Sequence, residues 1–344
     1  MYKKIFMGIA AVAALTLVSC SSDDLNSLSD NSSKNEAISF DGYWGRSAVS
    51  VNGSRGSVID KAEDLQNVPE GFGVFGNYSS TDGTTPTYGK NWFDNQPVTY
   101  KTSAWTYNPV KYWLPQGHID FLAYAPYDSN QELKENSKLD FTVSSTIANQ
   151  KDLLWANATN QTKTDKPVTF TFNHALAKIG YTVKTNVVGT GGTTITLNKI
   201  TLAGSATDPT TGAFYTKGTI DLSKGNDATD LWTKQHGKQY FTWFNGSQSL
   251  TSTSESNPET DYLFVIPQNF STGTDELYVI VDYTINYNTG AAATMKSTVS
   301  SKLTKNFEQG KAYKINLSIG LTPIEFDADV TAWKDTDQKD VYWN

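Results

Sequence analysis

The sequence predicts an all-β protein of two antiparallel β-sandwich domains, and three observations predict it. β-Branched and aromatic residues alternate with polar ones at a period of two, Asn, Gly, Ser and Thr clusters separate those runs, and no helical pattern exceeds about three turns. The 344 residues, 38% apolar and 12% aromatic, can build real cores and are too apolar for a disordered chain. At roughly 150 residues per domain, this length suits about two domains. A formal charge of −7 and a pI near 5.0 offer polyanions no basic surface, so nucleic acid is not an expected partner. The single Cys excludes a disulfide within the chain.

Residues 1–19 read as an export signal. Lys3 and Lys4 precede a fourteen-residue apolar run, residues 5–18, which is shorter than the about 20 residues a spanning helix needs. Leu17-Val18-Ser19-Cys20 resembles the bacterial lipobox, which makes Cys20 the expected lipidation site; the alternative is a plain secretory signal. Several acyl chains on one residue, palmitate among them, anchor a protein firmly, here to the outer membrane. Without the two leading lysines the chain counts 26 basic against 35 acidic residues, a formal −9. Residues 20–36 are mainly Ser, Asp and Asn and read as a disordered tether. Ser21-Ser22-Asp23-Asp24 resembles the acidic stretch that sends surface lipoproteins to the outer face.

The first sandwich is expected over residues 37–165 and the second over 166–344, with a polar boundary at residues 157–166. Val168-Thr169-Phe170-Thr171-Phe172 and residues 277–285 show the clearest strand alternation. Residues 61–67 and 147–156 are the two short helical candidates.

Only two Arg occur in the chain, Arg46 and Arg55, nine residues apart after the first strand-like segment. Arg55 lies in Gly53-Ser54-Arg55-Gly56-Ser57, the kind of extended loop that proteases bind, which suits cleavage by an Arg-specific protease. The plain alternative is low Arg usage in one solvated loop. The segments Ile38-Ser39-Phe40-Asp41-Gly42-Tyr43-Trp44 and Ile324-Glu325-Phe326-Asp327-Ala328-Asp329-Val330 match in pattern. Ile38, Phe40 and Trp44 would present the same apolar stripe as Ile324, Phe326 and Val330. Two such strands could fill one groove, the first displaced after cleavage and the second donated by another copy; the plain alternative is that any two half-buried strands look alike. Donor and groove lie at opposite ends of the subunit, so the contact need not close and its repetition gives a filament.

The lipobox, the Ile38-Ser39-Phe40 strand followed by Arg, Gly71-Phe72-Gly73-Val74-Phe75-Gly76, Tyr112-Trp113-Leu114-Pro115, Ile119-Asp120-Phe121-Leu122-Ala123-Tyr124-Ala125-Pro126, Asp152-Leu153-Leu154-Trp155-Ala156, residues 170–179 and Gly310-Lys311-Ala312-Tyr313 occur in succession. Together they resemble the fimbrillin family, the Mfa-like subunits of type V pili. The resemblance implies transthyretin-like sandwiches, lipoprotein export, maturation by an Arg-specific protease and polymerisation with other pilin subunits by strand exchange. No enzyme activity and no cofactor are expected. The tail, residues 334–344, departs from it and has no assigned role.

Other constellations are expected to carry no chemistry. Gly71, Gly73 and Gly76 satisfy G-x-G-x-x-G, yet a turn-rich loop rather than a helix follows, so the run reads as a buried strand with close-packed glycines. His118, His174 and His236 lack metal-ligand spacing. Trp92, Phe93, Trp105, Tyr107, Tyr112 and Trp113 are dense enough to supply stacking platforms for sugar rings, although aromatics in alternating strands are more often core. They carry the alternative function, a non-polymerising surface lipoprotein that binds a host or glycan ligand.

Overall fold

The structure, a computed structural model, describes residues 37–44, 59, 62–81, 83, 85–187, 192–225, 228–258, 261–287, 293–321 and 325–332. The first strands are β1 (Phe40–Trp44), β2 (Phe72–Ser79), β3 (Phe93–Lys101), β4 (Ala104–Thr106), β5 (His118–Ala125), β6 (Lys138–Thr142) and β7 (Leu154–Gln161). They are followed by β8 (Val168–His174), β9 (Ala177–Thr185), β10 (Thr194–Ala203), β11 (Phe214–Asp221), β12 (Trp232–Gln239), β13 (Phe241–Ser249) and β14 (Glu255–Ser256). The last are β15 (Leu263–Val265), β16 (Gln268–Asn269), β17 (Tyr278–Tyr287), β18 (Ala293–Lys302), β19 (Asn306–Phe307), β20 (Lys311–Ile319) and β21 (Glu325–Ala332). One short helix, α1 (Ala62–Gln66), falls within the first helical candidate. The second is corrected: Ile147–Asn149 forms a single 3-10 turn and Leu154–Gln161 is strand. Leu154, Trp155, Ala156 and Ala158 are buried in β7, and core packing overrides the weak local preference for helix.

A seven-stranded sheet runs β1-β8-β7-β5-β2-β3-β4. β5 is its middle strand and all eight of its residues are buried, as an almost wholly apolar run between two covered faces requires. β8 alternates instead, with Val168, Phe170 and Phe172 buried and Thr169 and Thr171 exposed. These strands enclose an aromatic core of Phe40, Phe72, Phe93, Phe121, Phe170 and Phe172.

The sheets β13-β10-β17-β18 and β14-β9-β20-β21 form a sandwich over a second core that includes Ile179, Leu197, Phe214, Val281 and Ile315. A third cluster, with Phe75, Tyr124, Trp155, Ile220 and Phe264, draws on both halves of the sequence. Strands also pair across residue 165: β8 joins the first sheet, and β6 pairs antiparallel with β11.

The glycine-rich run lies in and beside β2 rather than at a helix start. A Cβ on Gly71 would stand 2.0 Å from the Val98 carbonyl oxygen, and φ there is +67°, a region L side chains rarely adopt. A Cβ on Gly73 would stand 2.4 Å from the Tyr124 ring. Both glycines serve close packing.

Candidate functional site

The segment with the strongest functional expectation, residues 38–44, enters the first core. Alternation places Ile38 and Phe40 inward, and they are 2% and 4% exposed. Phe40 meets Phe93 and Phe121 edge-on, each at 5.5 Å between ring centres, and stacks on Phe170 at 5.7 Å. The inward position two residues on is Gly42, where a Cβ would lie 3.3 Å from Leu65 of α1 and 3.5 Å from Phe172. Trp44 stands opposite Phe172 in the β1–β8 ladder, and its side chain lies outside the described residues.

Two different backbones hold this segment. On one side β1 runs parallel to β8, in register from Phe40 with Val168 to Trp44 with Phe172. On the other side, the Ile38 N–H donates to the Lys111 carbonyl at 2.8 Å, and Ala37 forms an antiparallel bridge with Tyr112. The Tyr107 phenol closes this contact by donating to the Ile38 carbonyl at 2.7 Å while accepting from the Lys111 N–H at 3.2 Å. Burial raises the Tyr107 phenol above its ordinary pKa of 10.0, an effect the Lys111 hydrogen bond opposes. Lys111 Nζ in turn sits 4.9 Å over the Phe93 ring and donates to the Trp92 carbonyl. Residues 107–112 thus form a latch over the start of the strand.

The chain next reaches the described core at Ile59, which is buried. Its N–H donates to Asp152 Oδ2 over a long 3.4 Å, and the same oxygen lies 2.9 Å from His174 Nδ1. Leu65 follows it into the core. Arg46 and Arg55 fall between the two seated points, Trp44 and Ile59, and lie outside the described residues, as does Cys20.

The second matching segment is placed differently. β21 is an edge strand, antiparallel to β20, with Phe326 opposite Leu317 and Val330 opposite Tyr313. Val330 is 43% exposed although Tyr313 is buried. Ile324 and the Phe326 side chain lie outside the described residues. The structure therefore keeps the two segments on separate sheets of one chain.

The aromatic set that carried the alternative, sugar-stacking reading lies mostly in the core, as aromatics in alternating strands are expected to. Phe93 and Trp113 are buried, and Trp92, Trp105 and Tyr107 pack against the same core. Within this set Tyr112 alone is an exposed large side chain. Aromatic side chains on half-buried strands gain more from mutual packing than from solvent. The latch role of Tyr107 had no signature in the sequence, because its partner Ile38 lies 69 residues away.

His118 and His174 are buried beside Asp120, at 3.3 Å, and Asp152. Asp120 also accepts from the Thr87 and Asn160 N–H groups, each at 2.7 Å, and so organises loops. No group of three or more His, Cys, Asp and Glu that could hold a metal occurs among the described residues.

A fimbrillin-like family model matches residues 61–333. The fimbrium subunit Fim1C of Phocaeicola vulgatus is 23% identical, aligned over 97% of this chain and 97% of its own. A fimbrial protein from Bacteroides vulgatus of solved structure has the same fold, with a TM-score of 0.61 and 21% identity over 87% of this chain and all of the other. A candidate cell adhesion protein from Bacteroides ovatus superposes at a TM-score of 0.52, with 16% identity over 89% of this chain and all of its own. With the family model spanning most of its length, this chain belongs to the fimbrillin-like family.

Proposed function

We propose that the chain is a surface-exposed fimbrial subunit that serves adhesion. It is exported as a lipoprotein through Cys20, cut after Arg55 or Arg46 by an Arg-specific protease, and polymerised head to tail by strand exchange. The observation that carries this reading is the seating of residues 38–44, the segment containing edge strand β1, in which Ile38 and Phe40 complete an aromatic core. Both arginines lie between β1 and the next seated residue, Ile59. A cut there separates β1 from the chain while the rest of the core keeps its anchors at Ile59 and Leu65.

Loss of β1 would uncover the rings of Phe93, Phe121 and Phe170 together with the outer edge of β8, whose unpaired N–H and C=O groups favour pairing with another chain. A strand entering in the direction of β1, parallel to β8, would set Ile324 at the place of Ile38, Phe326 at Phe40 and Val330 at Trp44. Strand addition of this kind gains a backbone ladder and seated apolar side chains together. The donor must first leave β20, and the 43% exposure of Val330 supports a small loss of apolar burial at that position. Cutting does not by itself free β1, because the β8 ladder and the Tyr107 latch persist.

The test treats the full chain with an Arg-specific protease and follows N-terminal sequence and assembly. A new N-terminus after residue 46 or 55, followed by concentration-dependent ladders on SDS gels, is expected. Deleting residues 324–344 should leave cleavage intact and abolish the ladders. Assembly at an undiminished rate in the deletion variant rules out the donor role, and a cleaved chain that stays monomeric rules out exchange.

A further inference from the structure

A short route joins the edge that β1 occupies to the strand at the far end of the chain. β8 pairs with β1, and only residues 175–176 separate its end at His174 from the start of β9 at Ala177. β9 runs parallel to β20, in register from Lys178 opposite Ala312 to Thr185 opposite Ile319. β20 ends at Ile319, and β21 is the next strand. Three strands, one covalent link and one parallel ladder therefore connect the two places. In the order β14-β9-β20-β21, removal of β21 leaves β20 with β9 as its one strand partner among the described residues. The sheet β13-β10-β17-β18 lies off this route.

Both joints on the route are pinned. Ala175 and Leu176 are fully buried. The Ala175 N–H donates to the Leu153 carbonyl at 2.8 Å, and its carbonyl accepts from the Trp232 indole at 2.7 Å. The Leu176 carbonyl accepts from the Gly310 N–H at 2.9 Å. Along the ladder, Ile179, Tyr181 and Val183 of β9 lie buried opposite Tyr313, Ile315 and Leu317 of β20. Two side-chain bonds cross it as well. The Thr182 hydroxyl donates to Asn316 Oδ1 at 2.6 Å, and the buried Thr185 hydroxyl donates to the Ile319 carbonyl at 2.7 Å. The second of these sits on the last residue of β20, where a pull on the following strand would arrive.

We propose that β8, β9 and β20 carry tension through each subunit of a filament, with the β9–β20 ladder acting as a shear clamp. In a filament joined by the strand exchange proposed above, on which this role rests, a received donor beside β8 pulls through residues 175–176 on the beginning of β9. The subunit's own donated strand pulls on the end of β20. In parallel strands these are opposite ends, so the force runs along the ladder and its evenly spaced hydrogen bonds are loaded together. Force applied to one end of both strands would break the same bonds singly. Survival under load is governed by the unfolding rate, and a ladder whose bonds must fail together slows that step. The received donor is loaded in the same way, because it lies parallel to β8 and is pulled from its start while β8 is held from its end.

Single-molecule pulling on the uncleaved, monomeric full chain tests the clamp, so its outcome is independent of strand exchange. Cys20→Ser removes the sole native thiol. Handles on Thr171→Cys and Leu321→Cys, both exposed positions, load the ladder from opposite ends, whereas handles on Lys184→Cys, also exposed, and Leu321→Cys load it from one end. The first geometry should rupture at a force at least about twofold higher, because many bonds share the load. Thr185→Val keeps the shape of the side chain and removes its hydroxyl. In the first geometry it should unfold about fivefold faster at fixed load, the scale of one hydrogen bond. Thr298→Val, which removes a bond to Asp282 in the β17–β18 pair, should leave that rate unchanged. Thermal midpoints matching that of the parent establish that the variants are folded. Equal rupture forces in the two geometries, or an effect of Thr298→Val as large as that of Thr185→Val, would overturn the proposal.

Discussion

β1 and β21 share an apolar pattern and an edge position, but their burial differs. Ile38 and Phe40 of the first segment are sealed into an aromatic core, held by β8 on one side and by residues 107–112 on the other. β21 has backbone pairing from β20 alone, and Val330 remains 43% exposed. The difference teaches that a half-apolar strand contributes according to what faces it. Phe40 contacts aromatic rings on three different strands, whereas Val330 stands at the rim of a sheet. Under the proposed strand exchange, β21 would be the strand that leaves its own chain and the core lacking β1 the one that receives it.

The largest expected effect separates the two strands directly. Phe40→Ala should destabilise the chain by about 3–5 kcal/mol, the range for truncating a buried aromatic, while Val330→Ala should cost less than about 1 kcal/mol. Urea unfolding of the two variants measures both, and similar losses would break the comparison. Next in size is the latch. Tyr107→Phe keeps the ring against Phe40 but removes the bond to the Ile38 carbonyl, for a loss of about 1 kcal/mol. After Arg-specific cleavage this variant should release the β1 fragment several-fold faster, as followed by size-exclusion chromatography. An unchanged release rate would place the hold in the β8 ladder alone.

The smallest effect is in the alkaline limb of stability. The Tyr107 phenol is raised in the folded chain, so the unfolded chain loses that proton first as pH climbs past about 10. The stabilisation is therefore full below pH 10 and is lost as pH rises through the folded value. Tyr313, opposite Val330, is raised to about 12 mainly by burial and adds its own alkaline loss. Tyr107→Phe should make the fall in urea midpoint above pH 10 shallower and leave the Tyr313 contribution in place. An unchanged slope would show that Tyr107 is no more protected than a surface phenol.

Much of the fold was legible because its signals were local. Alternation in Val168-Thr169-Phe170-Thr171-Phe172 specifies one buried face, and the apolar stretch of β5 from Phe121 to Ala125 fits a strand covered on both sides. Residues 147–156 misled because Leu153, Leu154, Trp155 and Ala156 fit a helix or a strand equally over so short a run, and long-range pairing with β5 settled the matter. The candidate site was half legible. The match between residues 38–44 and 324–330 and the placing of both arginines can be read directly, whereas the Tyr107 latch and the route through β8, β9 and β20 cannot.

By itself the sequence determined the class of fold, the strand faces and the family resemblance, because each rests on spacing along the chain and on residue type. Tertiary structure alone decided that β1 lies parallel to β8 and that Tyr107 reaches Ile38. It also decided that the dense aromatics around residues 92–113 are mostly core rather than surface. Those outcomes depend on which distant segments meet, and burial and hydrogen bonding between such segments are fixed only when the sheets pack.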